Sequence, residues 1–371
     1  MKAAVLHRPG DPLVIEDVEL TEPGPGDVLV RVEAAGVCHS DLHYINGDLV
    51  APLPAVLGHE GTGVVEQVGP GVTIVKPGDT VITTWRPRCG DCEQCSTGRP
   101  GLCALGKAQA VSGGLWDGRS RLRLRGEPIH HLMGVSCFAQ RCIVSDRSVI
   151  PISGDVPPQI AAIMGCAVIT GVGAALNQMR GATGEAAVVI GAGGVGLSAV
   201  MGLRVIGANP IIVVDTVETR LRRALELGAT HVVNAATQEV RAEIAAIASP
   251  APRWVLNAVG APATLEQAVG IAGVGATIVV VGLTKAGATF QVPVNELVQQ
   301  EKRIVGSLYG SSNMLFEIPR LLRLYRDGRL PLDALVGQQC RLDQINDAFA
   351  AMTDGAIGRA VVRPQLEDAL G

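Results

Sequence analysis

Four cysteines crowd into fifteen residues with the spacing Cys89-x2-Cys92-x2-Cys95-x7-Cys103. Thiolates this close can fill all four positions around a tetrahedral zinc ion, which makes a closed and therefore structural site. The chain has nine cysteines. That odd total, with no export signal before Pro9-Gly10, argues against a disulfide framework and for metal thiolates in a reducing compartment. Two further cysteines and a histidine are candidates of another kind: Cys38 in Gly36-Val37-Cys38-His39-Ser40-Asp41, His59 in Gly58-His59-Glu60, and Cys166 in Gly165-Cys166-Ala167. No spacing rule joins these three, and alone each reads better as a core thiol or a satisfied histidine.

A glycine-rich turn offers phosphate chemistry. The apolar run Ala187 to Ile190 leads into Gly191-Ala192-Gly193-Gly194-Val195-Gly196 and then a helical stretch. That strand-turn-helix context turns a G-x-G-x-x-G match into a dinucleotide-binding prediction. Gly191 makes the tight turn, Gly193 lets a pyrophosphate reach the backbone at the helix's positive end, and Gly196 packs helix on strand. Asp215 closes the next strand nineteen residues after Gly196, where its carboxylate can accept from the adenosine ribose. A 2′-phosphate there would meet like charge, so NAD is expected over NADP, with Arg220 a second ribose contact.

The elements that must position these groups fall into two patterns. From Met1 to about Asp79, short β-branched runs such as Asp27 to Val32 and Gly63 to Val68 alternate with Pro-Gly turns, as in a small antiparallel barrel. Between Pro87 and Val135 periodicity vanishes, and a metal clip is expected to hold the stretch. From Ala187 the order is βαβαβ: Ala187 to Ile190, Gly194 to Ile206, Ile211 to Val214, Glu218 to Leu227 and His231 to Asn234. Strands at Trp254 to Ala258, Thr277 to Val281 and Ile304 to Leu308 complete a six-stranded doubly wound sheet. Helices at Met314 to Asp327 and Leu342 to Thr353 and a strand at Arg359 to Val362 close the chain.

With these segments in order, the sequence resembles the zinc-containing medium-chain alcohol dehydrogenases from Ala3 to Val362. The segments 36–41 and 52–61, the four-cysteine loop, Asp117-Gly118-Arg119-Ser120-Arg121 with Pro128-Ile129-His130-His131, Gly165-Cys166 to Thr170-Gly171, and 191–196 carry the likeness. Long-loop members, the liver-type and glutathione-dependent formaldehyde dehydrogenases, are most similar. The resemblance implies an α/β fold: a GroES-like β-barrel catalytic domain over 1–167, completed by 311–371, and a Rossmann domain over 168–310. It implies two zinc ions per chain, a structural one on Cys89, Cys92, Cys95 and Cys103 and a catalytic one on Cys38, His59 and Cys166 with one open position. Glu60 and Asp41 are then the carboxylates behind the ligands. Ser40 and His43 carry the proton of the alcohol away, and Leu49 and Trp85 line the substrate channel. His39, Thr170, Gly194, Val195 and Arg359 contact the cofactor. Serine at 40, histidine at 43 and leucine at 49 depart from the glutathione-dependent branch, although Lys107 stands near that branch's carboxylate-binding arginine.

Composition agrees with a small-molecule enzyme. Lys and Arg number 31 against 35 Asp and Glu, a formal charge of −4, which gives no field for nucleic acid or an anionic membrane. Forty-six glycines with 3% aromatics suit tight turns and not a base-stacking surface. The expected partners are an alcohol or aldehyde and a second copy of the chain, as a homodimer through the sixth nucleotide-sheet strand or a tetramer, in the cytoplasm. A zinc-free quinone reductase of the same fold would lack all seven ligands, and a non-catalytic NAD-binding protein would show a damaged set. His7, His130, His131, His231, Cys137, Cys142 and Cys340 read as structural or surface residues.

Overall fold

The computed structural model describes residues 1–366. They form two compact units, Met1–Cys166 with Asn313–Leu315 and the chain from Val336, and Ala167–Ser312 with Phe316–Leu335.

The first unit is built on two sheets. One runs Val14–Asp17, Lys2–Leu6, Ala55–Val56, Glu127–His131, Leu122–Leu124 and Glu19–Leu20. The other runs Val149–Ile152, Thr80–Thr83, Glu60–Val68, Asp27–Gly36, Arg359–Val362 and Val336–Cys340, with Arg141–Ser145 also on Asp27–Gly36. Along Asp27–Gly36 the valines at 28, 30 and 32 point into a core shared with Leu57, Phe138 and Phe349, the alternation of a half-buried strand. Antiparallel pairing dominates, but Ala55–Val56 and Glu127–His131 pair in parallel. Inside the stretch read as aperiodic lie a helix, Ala104–Ser112, and the hairpin Leu122–Leu124 with Glu127–His131. Its two-residue turn, Arg125-Gly126, has positive φ at both positions, a type I′ turn whose first residue is not the usual asparagine or aspartate. Arg121 anchors this lobe. Its Nε donates to Asp27 Oδ2 at 2.5 Å and its Nη2 to Asp117 Oδ2 at 3.0 Å.

The second unit carries a parallel sheet in the order His231–Asn234, Ile211–Asp215, Ala187–Ile190, Trp254–Asn257, Thr277–Val280, Arg303–Gly306, the 3-2-1-4-5-6 arrangement of a dinucleotide-binding fold. Ala187–Ile190 is buried throughout, as strands covered on both faces are. The sixth strand ends at Gly306, two residues short of expectation, because a tight turn begins at Leu308 with Tyr309 at φ 57°. Residues 316–335, expected to complete the first domain, pack in this unit: buried Ile318, Leu321 and Leu322 form the apolar face of Met314–Arg326, and Arg329 Nη2 donates to Val205 O.

Helix Pro158–Gln178 carries the chain from one unit into the other. It is long and apolar enough to cross a bilayer, but 94% of the apolar stretch is buried inside the protein, as in a core helix. At Met164–Val168 it widens into a π-turn, and Cys166 sits there. Such one-turn bulges re-aim a side chain without ending the helix.

Candidate metal centre and cofactor site

Three separate elements bring Cys38, His59 and Cys166 together. Cys38 is the N-cap of His39–Ile45, and its sulfur accepts from Ser40 N at 3.4 Å. His59 precedes strand Glu60–Val68, and Cys166 comes from the π-turn. One donor atom from each, together with a Glu60 carboxylate oxygen, lies within 4.8 Å of every other, and all four residues are buried.

Buried ionisable groups act strongly on one another at this point. The Cys38 thiol is held well below its usual value, first by a hydrogen bond from Cys166 and then by the charges of Arg359 and His59, against burial. Burial pushes His59 down, but Asp41 and Cys38 outweigh it and hold the imidazole well above its usual value. Two sulfurs and an imidazole brought this close suit zinc or another borderline-soft ion. His59 Nδ1 lies 3.1 Å from Asp41 Oδ2, which leaves Nε2 to face a metal. Asp41 is itself fixed, its Oδ1 accepting from Gly58 N at 3.1 Å.

Glu60 is bound from its other side. Arg359 Nε donates to Glu60 Oε2 at 3.1 Å, and Nη2 donates to Oε1. Burial pushes the carboxyl up while Arg359 pulls it down, leaving it at about 7. Arg359, expected at the cofactor pyrophosphate, is 5% exposed and paired to Glu60 in this structure.

Of the remaining predicted residues, His43 hydrogen-bonds through Nδ1 to Asp48 Oδ2 at 2.9 Å. Asp48 was not singled out in the sequence, since a carboxylate five residues past a histidine carries no motif. His39 is exposed, and Ser40 and Leu49 are half-buried. The Trp85 ring meets His59 edge to face with centroids 6.3 Å apart.

The second cysteine cluster is as compact. Sulfur separations are 3.9 Å for Cys89–Cys95, 3.9 Å for Cys92–Cys103 and 3.6 Å for Cys89–Cys103. These are far beyond a disulfide's ~2.05 Å and match the roughly 3.8 Å edge of a tetrahedron with zinc–sulfur bonds of about 2.3 Å. Backbone N–H groups of Cys95 and Ala104 hold the Cys92 thiol down at about 6, whereas its hydrogen bond with Asp91 pushes the Cys89 thiol up to about 12.

In the second unit the glycine turn has the shape expected. Gly191 has φ +96°, and a Cβ on Gly196 would stand 1.7 Å from Gly191 O. Nothing lies within 4 Å of a Cβ on Gly193, the N-cap of Gly194–Ile206. That leaves open space at the N-terminus of this helix, the kind of place where backbone N–H groups can meet an anion. Asp215 Oδ2 accepts from Ala192 N at 2.7 Å and Oδ1 from Val217 N at 2.9 Å. Its carboxylate thus ties the glycine turn to the second strand. Arg220 is half-buried, and Thr170 is buried on Ile169–Gln178.

At least five of the seven unassigned residues are buried or paired. Cys137, Cys142 and Cys340 are buried, His7 pairs with Glu16 at 2.6 Å, and His131 Nε2 accepts from Arg121 N at 3.1 Å.

Comparison with known proteins agrees with both halves. A family model described as alcohol dehydrogenase GroES-like domain matches residues 24–154, and one described as zinc-binding dehydrogenase matches 194–324. An NDMA-dependent alcohol dehydrogenase of Amycolatopsis methanolica is 40% identical over 97% of this chain and 98% of its own. Two solved structures superpose with a TM-score of 0.92 over 98% of both chains. They are an alcohol dehydrogenase zinc-binding domain protein from Burkholderia ambifaria, 38% identical, and benzyl alcohol dehydrogenase from Acinetobacter calcoaceticus, 36% identical. The chain belongs to the zinc-binding medium-chain alcohol dehydrogenase family.

Proposed function

We propose that this alcohol dehydrogenase is NAD-linked, carries two zinc ions per chain, and interconverts primary alcohols, aromatic and larger aliphatic ones included, with their aldehydes. The convergence of Cys38, His59 and Cys166 within 4.8 Å carries the reading. A zinc ion held by these three supplies Lewis acidity that makes an alcohol hydroxyl easier to deprotonate. The protein's own groups do the rest. Asp41 fixes the tautomer and orientation of His59. Ser40 takes up the hydroxyl proton and passes it toward His43, which exchanges it with water. Asp48, on His43 Nδ1, leaves Nε2 as the proton-accepting atom. Glu60 and Arg359 form a buried ion pair behind the ligands.

The choice of NAD rests on Asp215, whose two oxygens each keep an acceptor site for a ribose hydroxyl and whose charge opposes a 2′-phosphate. Half-buried Trp85 and Leu49 form the apolar wall of a roomy substrate channel, and the benzyl alcohol dehydrogenase among the structural relatives fits that wall. The long lobe over 87–135 supports placement in the long-loop branch. The enzyme works in the reducing cytoplasm as a homodimer, or a tetramer, joined through Arg303–Gly306, which lies at the sheet's edge.

The test is a substrate panel followed by NADH absorbance, with NADP and the acceptor NDMA as alternatives to NAD. Benzyl alcohol turning over with NAD at least as efficiently as ethanol supports the reading, and a strong ethanol preference overturns the channel assignment. Formaldehyde turnover that requires glutathione would move the enzyme to thiol adducts, with exposed Lys107 as the carboxylate contact.

A further inference from the structure

Two arginines that the reaction does not use hold the four-cysteine loop to the rest of its unit. Arg147 Nη1 donates to Cys89 O at 3.0 Å. Arg88 grips in return: its backbone N–H donates to Arg147 O at 3.1 Å, and its Nη1 donates to the same oxygen at 2.9 Å and to Val149 O at 3.3 Å. Residue 147 thus holds the backbone of 89 while residue 88 holds the backbone of 147, a reciprocal clasp between the ligand loop and strand Val149–Ile152. The Arg147 guanidinium also lies 6.0 Å from the centre of the Trp116 ring.

Charge gives the clasp a purpose. Four thiolates around a divalent ion sum to −2, and two guanidinium groups supply +2. Arg88 adjoins Cys89 in the chain, and Arg147 reaches it through the Cys89 carbonyl. Near the loop, Asp91, Glu93, Arg99 and Lys107 are exposed, where water screens them, while half-buried Asp146 stands beside Arg147 in the chain and offsets part of its charge. Arg88 and Arg147 are half-buried and act through a lower dielectric.

We propose that Arg88 and Arg147 are positioning residues of the four-cysteine site: they balance the charge of the zinc tetrathiolate and fix the Cys89 backbone, and so slow the escape of the metal. This rests on the reading that the loop holds zinc. Zinc release from the intact enzyme to a colorimetric chelator tests it, the phase belonging to this loop being the one missing in Cys95→Ser. Removing one partner behind a ligand commonly costs 10–100-fold in metal affinity. Arg88→Met and Arg147→Met should each release this zinc about 10-fold faster or more. Arg147→Lys, which keeps the charge, should release it more slowly than Arg147→Met, and Arg99→Met should match the parent.

Melting temperature separates charge balance from plain packing. A guanidinium that only packs supports the loop equally with or without metal, whereas one that balances the loaded tetrathiolate acts on the zinc-bound form, so Arg147→Met should lower Tm more with zinc bound than without. Release from both methionine variants at the parent rate, Arg147→Lys as fast as Arg147→Met, or equal Tm losses with and without zinc would each overturn the proposal. A parent enzyme with no zinc in the loop would remove the site reading itself, a different result from an unchanged rate.

Discussion

Replacing Asp41 by asparagine keeps an acceptor for Gly58 N and removes the charge facing His59 Nδ1. The expected result is a 10–100-fold loss of zinc affinity at the Cys38–His59–Cys166 centre with the four-cysteine zinc retained, so dialysis against a moderate chelator should bring metal content from about two ions per chain toward one. His131 makes a prediction about pH. Burial first, then the charges of Arg121 and His130, hold it at about 3, against 6.5 unperturbed. The unfolded chain therefore binds a proton below about pH 6.5 that the folded chain refuses. Stability from this group is complete above pH 6.5 and falls by about 1.4 kcal/mol per unit as the pH drops toward 3. His131→Gln, which can still accept from Arg121 N, should lose about 2 kcal/mol less than the parent between pH 6.5 and 5 in paired denaturant titrations. At this scale the sequence is legible where residues are close together. Cys89 to Cys103 declare themselves by spacing, whereas Cys38, His59 and Cys166 needed a family likeness. The Glu60–Arg359 pair spans 299 positions, a separation at which no local pattern operates.

The glycine turn separates shape from binding. A Cβ at Gly196 has no room beside Gly191 O, whereas one at Gly193 meets nothing within 4 Å. Gly196→Ala should therefore lower stability by about 1–3 kcal/mol or more, the usual cost of overpacking. Gly193→Ala should melt like the parent yet raise the KM for NAD several-fold, because the new methyl stands where the pyrophosphate approaches. Thermal melts and cofactor kinetics on the pair check both halves, and equal effects from the two changes would contradict the assignment. Asp215→Asn should raise the NADP-to-NAD ratio of kcat/KM by roughly tenfold, the loss of about one kcal/mol or more of like-charge repulsion. Elements with a clear period could be read nearly to the residue: Gly194–Ile206, Glu218–Leu227 and Arg359–Val362 run as the sequence suggests. The lobe over 87–135 could not be, because its helix is short and its hairpin turns on Arg125-Gly126. Nor does the π-turn at Cys166 leave a trace in apolar spacing.

For the whole molecule, each unit has its own chemistry: the first gathers both sets of metal donors and the second the glycine turn and Asp215. Anomalous X-ray scattering from crystals of the enzyme, recorded on either side of the zinc absorption edge, tests the central claim most directly. The account predicts two peaks per chain, one among Cys89, Cys92, Cys95 and Cys103 and one bounded by Cys38, His59 and Cys166. A peak in the four-cysteine loop alone, from crystals grown with zinc, would contradict it.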